Sequence, residues 1–366
     1  MGEEPRKSAR SRVGTRAAGR LKAKLADVAR LAGVGSATVD RVLNERGNVA
    51  PETARRVIDA ARQLKLPRSL PVPYRRGLRL DVILTRPETP FFERLNRAFI
   101  RVAATLDHSV IVQRSFVDES KPRQVAERIL ATNGHAIVIY GQEDPAVIEA
   151  AATVTAGGIP VVAIVSDLPT SPRLAYVGIN HYSAGRTAAF FMARLAARGG
   201  PVLALCHSFQ YRAHADRISG FRDGLTDHNP VLVLDDILQG RDEQVLSERL
   251  VAEALRRSPG TVGIYNAGGA NRAVERALSA RGLAGQAVFI GHELNLHSAR
   301  MLADGVMTLA IDQNPEEQAR RAIELLLRRF GYHDAAGEPN EVPFTIYSPE
   351  NLVDRPDSEG PPPARR

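Results

Sequence analysis

LADVARLAGVGSATVDRVLNERGNVAPETARRVIDAARQLKL, residues 25–66, falls into three short helical periods. In the first, Val28, Ala29 and Ala32 share a face, and Gly33-Val34-Gly35 then interrupts the helix and permits a sharp turn. The second, Ser36 to Leu43, turns Val39, Val42 and Leu43 inward and leaves Ser36, Ala37, Asp40 and Arg41 outward. The third opens with Pro51, a residue suited to the first helical position, and carries Val57, Ile58, Ala61 and Leu64 on one apolar stripe. Two short helices joined by a glycine-containing turn and braced by a third make a helix-turn-helix, whose second helix enters the DNA major groove. Small outward side chains bring that helix close to the base edges, while Arg41 still reaches a phosphate or a guanine. The plain alternative is a small helical bundle with no DNA role.

Charge weighs against that alternative. Residues 1–80 hold 19 Lys/Arg against 7 Asp/Glu, an excess of +12, which leaves −4 for the rest of a chain whose total is +8. The basic character belongs to the N-terminal piece, as in a nucleic-acid reader joined to a neutral-to-acidic body. At 366 residues there is room for two or three domains. Cys206 is the only cysteine, so no intrachain disulfide forms and a reducing cytoplasm is expected. No apolar run approaches the ~20 residues of a membrane span, and no apolar leader opens the chain.

The residues Asp27-Val28-Ala29, Ala32-Gly33-Val34 and Thr38-Val39-Asp40-Arg41-Val42-Leu43-Asn44 follow a pattern that resembles the headpiece of the lactose-repressor family of bacterial regulators. The resemblance implies a DNA-contacting set of Ser36, Ala37, Thr38, Arg41, Asn44 and Asn48. Three positions depart from the family pattern, each where it usually has serine: Gly35, Asp40 and Ala50. Gly35 gives a weaker helix cap, and a carboxylate at 40 is repelled by phosphates unless Arg41 pairs with it.

Residues 1–24, with eight basic and two acidic residues, read as a disordered arm: either a non-specific phosphate contact or an inert tail. Residues 67–79 read as a linker held extended by Pro67, Pro71 and Pro73, with Arg75, Arg76 and Arg79 expected to touch the DNA backbone. The family's hinge-helix pattern is absent there, although Leu70 is available for insertion.

From Leu80 the rhythm becomes strand, helix, strand: LRLDVILT, SVIVQRSF, AIVIYG and IPVVAIVS, then PVLALCH, VLVLDD, TVGIYN, AVFIGH, TLAIDQ and VPFTIYS. Alternation of this kind builds parallel sheets with helices on both faces. The fold class is therefore an all-α helix-turn-helix headpiece followed by an α/β body of two doubly wound parallel sheets. From about Arg79 to Leu352 the body resembles the periplasmic sugar-binding-protein fold that the family uses as a sensor. That resemblance implies strand exchange between lobes within 80–353: one lobe from about 79–180 plus 314–341, the other from about 181–313 plus 342–353, with 354–366 as a tail.

In such a body a ligand sits at the carboxyl ends of the strands. The resemblance points to Phe91 and Phe92 as a stacking platform, with core packing as their plain alternative. It points also to Arg217 as a planar fork for hydroxyls or a carboxylate, to Asn266 and Gln313 as amides, and to Glu293 in place of the usual aspartate. Thr89 stands where relatives have asparagine, and Val165-Ser166-Asp167 replaces an Asp-Arg pair, leaving Asp167 to take over. His292 and His297 are five residues apart and share no helical face, so they make no zinc-protease pair. Ser208 has no nucleophile-elbow setting, and Asn266-Ala267-Gly268-Gly269 has no phosphate-loop lysine. No catalytic set, metal site or cofactor is expected. The partners expected are operator DNA, a small sugar, polyol or sugar acid, and a second copy of the chain. The rival readings are an architectural DNA binder whose body only dimerises and a sugar-acting enzyme that regulates its own gene.

Overall fold

A computed structural model describes residues 24–44, 46, 49–66, 77–332 and 337–352. Asn48, Leu70, Arg75, Arg76, residues 1–23 of the expected arm and the expected tail 354–366 lie outside the described residues. The chain divides at residues 76 and 77 into two compact units.

The first unit is three helices, α1 (Leu25–Ala32), α2 (Ser36–Leu43) and α3 (Pro51–Gln63). Gly33 ends α1 in the left-handed region at φ 65°, where a side chain is strained, and the Val34 amide returns to the Ala29 carbonyl at 3.0 Å. That turn throws α2 across α1. Val28, Val39, Val57 and Ala61 meet at the centre of a small core with no measurable exposure.

The second unit begins with β1 (Leu78–Thr85), so Arg79 belongs to a strand and not to the expected linker. α4 (Pro90–Ala104), β2 (Val110–Val117), α5 (Pro122–Leu130), β3 (Ala136–Tyr140), α6 (Pro145–Ala156), β4 (Val161–Ile164) and β5 (Ala175–Val177) follow. The five strands form a parallel sheet in the order β2-β1-β3-β4-β5. β1 and β3 are buried almost throughout, as parallel strands covered on both faces must be, and β2 at the edge alternates with solvent. The one carboxylate buried in β1, Asp81, accepts from Thr132 Oγ1 at 2.8 Å and Arg128 Nη2 at 3.2 Å. β5 is short and half-buried, and no apolar run in the sequence announces it.

The chain then crosses into a second sheet through α7 (His181–Leu195). β6 (Gly200–Cys206), α8 (Arg212–His228), β7 (Leu232–Gln239), α9 (Gln244–Arg257), β8 (Gly263–Asn266), α10 (Asn271–Ala280), β9 (Val288–His292), α11 (Leu296–Ala303) and β10 (Leu309–Asp312) complete most of this lobe. α12 (Pro315–Arg329) returns to pack on α4 and β4 of the first lobe, and β11 (Thr345–Tyr347) comes back to pair antiparallel with β10. The second sheet reads β11-β10-β9-β8-β6-β7, parallel apart from that last pair. Three crossings thus join the lobes, and the backbone of Val342 donates to Gly178 at 2.8 Å where two of them run side by side. Among the described residues, no helix is long and apolar enough to cross a membrane.

Candidate functional site

In the first unit, Ser36, Ala37, Arg41 and Asn44 are exposed and Thr38 is half-buried on α2, the helix that this motif presents to DNA. Asp40 does not turn to Arg41. Its carboxylate accepts from Asn44 Nδ2 at 2.7 Å and Arg46 Nη1 at 3.0 Å, so Arg46 takes the offsetting role that Arg41 could have had, and Asn44 is already engaged. The reason is reach: residues four apart on a helix face one another, whereas neighbours point apart.

The second unit holds a cavity of about 500 Å³ at the carboxyl ends of both sets of strands, between the lobes. This is where a doubly wound fold leaves its crevice. Phe91, Phe92, Arg217, Glu293 and Gln313 all line it. Phe91 is half-buried, and Phe92 packs edge-on against both Phe91 and Tyr140.

Two expected residues stand elsewhere. Asn266 is wholly buried behind the cavity, where its amide donates to Asn271 Oδ1 at 2.7 Å and its oxygen accepts from the Gly268 amide at 3.1 Å. It ends β8 pointing inward and supports Asn271, which is the lining residue. Asp167 faces Arg173, accepting from Nη2 at 2.6 Å, and caps the Leu168 amide at 2.7 Å. Val165, at φ 63°, reverses the backbone after β4 and occupies the lining position itself.

Arg217 is the centre of the second lobe's wall. Its Nε donates to His181 Nδ1 at 3.1 Å and its Nη1 to the Ala267 carbonyl at 2.7 Å, while Nη2 has no partner. Because Nδ1 accepts, the His181 proton is on Nε2, which donates to the Val165 carbonyl at 2.6 Å. Burial, and then the Arg217 charge, hold the pKa of His181, His214 and His292 well below the usual range, so all three rings are neutral. Glu293 is held at φ 71°, an uncommon setting for a side chain, and accepts from Gln313 Nε2. Burial, and next the adjacent Asp312, push its carboxyl up to about 8. Among the described residues, Glu293 Oε2, Gln313 Oε1 and His214 Nδ1 have no hydrogen-bond partner. A cavity walled by aromatic faces and unspent hydrogen-bonding groups, without a nucleophile beside a base, is built to hold a small polar molecule.

Several lining residues escaped the sequence reading. Arg86, at φ 42° just after β1, sits 5.0 Å over the Phe92 ring and crosses the cleft to Asp242. Asp242, His214, Tyr140 and Asn271 complete the wall. Apart from His214, which lies in α8, their shared signal was a polar or aromatic residue within a few positions of a strand's carboxyl end.

Fold and cleft together define a class: a two-lobed body with a cleft, joined in one chain to a helix-turn-helix. The periplasmic binding protein domain model matches residues 80–331, and that of bacterial regulatory proteins, lacI family, matches 24–66. The chain carries a lacI-family regulatory-protein domain at residues 24–66 and belongs, through its body, to the periplasmic binding protein domain family. It is similar to the sucrose operon repressor of Pediococcus pentosaceus, 32% identical over 32% of this chain and 37% of that one. The matched stretch thus spans little more than a third of that relative's length. It is also similar to the HTH-type transcriptional repressor PurR of Mannheimia succiniciproducens, 25% identical over 87% of this chain and 96% of that one. Among solved structures, the glucose-galactose binding protein GanP of Geobacillus stearothermophilus shares the fold of the body, with a TM-score of 0.70 at 17% identity. That likeness covers 76% of this chain and 99% of that one.

Proposed function

We propose that the protein is a transcription repressor, working in the cytoplasm as a homodimer on a roughly two-fold operator, whose DNA affinity is set by a small sugar-like molecule held between its lobes. The observation that carries this reading is the single chain that joins a basic helix-turn-helix to a cleft walled by Phe91, Phe92, Arg217, Glu293 and Gln313. Two relatives are repressors by name, and solved neighbours of the body are named as sugar-binding proteins. One headpiece touches few bases, so two are needed for useful specificity, and their symmetry sets the half-site arrangement. In the headpiece, Ser36, Ala37, Thr38 and Arg41 face the groove. In the cleft, the phenylalanines stack on an apolar ligand face while Arg217, Glu293 and Gln313 bind its hydroxyls. The ligand acts by differential affinity: it binds one lobe arrangement better than another and so shifts the headpieces' competence for DNA.

The test is selection of bound duplexes from a random pool by the full chain, followed by titration of the recovered site with sugars, polyols and sugar acids. A palindromic consensus whose affinity changes about 5–150-fold with one of these compounds is expected. Recovery of no sequence preference, or an affinity that no compound alters, would overturn the reading.

A further inference from the structure

We propose that the cleft is built for an acid, a polyhydroxylated molecule bearing one carboxylate that meets the guanidinium of Arg217. The inference deepens the sensor reading above and rests on it.

The charge inventory of the cleft is the starting point. Arg217 is 3% exposed and, among the described residues, hydrogen-bonds only an imidazole nitrogen and a carbonyl, with Nη2 left over. No carboxylate forms an ion pair with it. A buried cation without a counter-ion is costly, and proteins rarely leave one so unless a ligand completes the pair. The other buried cations beside the cavity already have carboxylate partners. Arg86 faces Asp242 at 2.9 Å and Glu119 at 3.0 Å. Arg94 holds Asp312 at 2.5 Å and Glu316 at 2.7 Å. At the rim, Glu88 and Arg272 are both exposed and opposite in sign.

One group remains to neutralise Arg217 from within, the carboxyl of Glu293. It sits in the same wall but makes no ion pair with Arg217, and its environment favours the protonated form. A protonated Glu293 beside Gln313 and neutral His214 supplies donors and acceptors for hydroxyls and no charge. Among the described residues, Arg217 is therefore the buried cation of the wall that no carboxylate meets, and its hydrogen-bond partners are neutral. A carboxylate for the cation and hydroxyls for the rest match that inventory, whereas a neutral sugar leaves the guanidinium as uncompensated as it is now. The unpartnered Nη2 is the donor that a carboxylate oxygen would meet in a charge-assisted hydrogen bond.

The test is calorimetric titration of the full chain with matched pairs: D-galactose against D-galacturonate, and D-glucose against D-gluconate, with myo-inositol as an uncharged polyol. At least one acid is expected to bind about tenfold to a hundredfold more tightly than its neutral partner, as hydrogen bonds to a charged group are worth. Arg217→Gln is expected to collapse that preference to near unity, and Arg217→Lys, which keeps the charge but not the fork, to retain part of it. If Arg217→Gln fails to fold, the wild-type pairs and the lysine variant decide. Neutral members that bind as well as the acids would overturn the proposal and leave the sensor reading standing. An acid preference that survives Arg217→Gln would overturn the role of Arg217. Failure of every compound at millimolar concentration would overturn the proposal and the sugar-like sensor together.

Discussion

Arg86 of the first lobe and Asp242 of the second meet across the cleft, Nη1 to Oδ2, at 2.9 Å. They lie with Glu119, which follows the edge strand β2, and His207, whose Nε2 is 3.2 Å from Glu119 Oε1. Tyr211 donates to Glu119 at 2.9 Å, and its ring stacks on Tyr140 of the other lobe with centroids 4.8 Å apart. β2 and β7 are the sheet edges away from the crossings, so this cluster clasps the cleft on the side opposite its hinge. The side chains of Arg86 and Asp242 are 17% and 14% exposed, so solvent screens the pair only weakly. Replacing Asp242 with Ala leaves Arg86 with half its counter-charge and is expected to destabilise the closed body by about 3 kcal/mol. The measurement is hydrogen exchange, read at the Glu143 amide, which donates across the cleft to the Gln210 carbonyl at 3.2 Å. Unchanged protection there would show that the cleft closes without this pair.

Acid should weaken the body in a defined window. His181, His214 and His292 are kept neutral in the folded state, first by burial and then by Arg217, whereas an unfolded histidine takes up a proton near pH 6.5. A folded pKa lowered in this way gives stability that is full above pH 6.5 and declines below it. Glu293 runs the other way. With its carboxyl raised from 4.5 to about 8, the folded state keeps a proton that the unfolded one has lost, and this favours folding as pH falls toward 4.5. Between 4.5 and 6.5 three groups oppose one, so two net protons favour the unfolded chain, a slope of at most about 2.7 kcal/mol per pH unit. Urea midpoints at pH 7.5 and 5.5 check the sign, and a midpoint that rises on acidification would refute it.

The expected strands and their order of alternation were legible because parallel strands buried on both faces are continuous apolar runs, as AIVIY at 136–140 is. β5 was not, because three residues, two of them half-buried, carry no such run. In the cleft, Phe91, Phe92, Arg217, Glu293 and Gln313 were found through strand ends and motif resemblance. Asn266 and Asp167 were misplaced because being near a strand end does not say which way a side chain turns. The left-handed backbone at Val165 re-aims that whole loop, and nothing in Val-Ser-Asp announces it. Arg86 and Asp242 were invisible for a different reason: each makes sense only through a partner 156 residues away on the other lobe.

The position of Arg217 depends on two glycines. A Cβ on Gly185 of α7 would stand 2.0 Å from the Arg217 carbonyl, and one on Gly220 of α8 would stand 2.1 Å from the Tyr182 carbonyl. The two helices therefore touch backbone to backbone, with no flexible side chain between them to yield. Gly185→Ala is expected to cost about 1–3 kcal/mol as overpacking and to push α8 away from α7, carrying Arg217 with it. Ligand affinity should fall about tenfold or more, as displacement of a hydrogen-bonding fork by a fraction of an ångström implies. The thermal midpoint and calorimetric affinity, measured on one preparation, check both parts. A stability loss with affinity intact would mean that the Arg217 side chain is fixed from its own loop contacts and not from the helix pair.

The headpiece carries a carboxylate, Asp40, on α2, the helix this motif presents to DNA, and its arrangement makes a prediction of unusual sign. Asp40 is shared by Asn44 and Arg46 and leaves Arg41 exposed, so one of the two arginines near the groove is neutralised and one is free for phosphate or guanine. Arg41→Ala removes a free cation: affinity for the recovered operator should fall and the slope of log K against log salt should shrink by about 1. Asp40→Asn does the reverse. It removes a charge that repels phosphate and releases Arg46, so affinity at low salt should rise and the salt slope should steepen by up to about 2. The gain should appear on random DNA as well as on the operator, because counter-ion release carries no sequence information, and specificity should fall accordingly. Fluorescence anisotropy on both duplexes over a range of salt concentrations separates these outcomes. If Asp40→Asn weakens operator binding instead, the carboxylate accepts from a base edge, and α2 reads cytosine at that position.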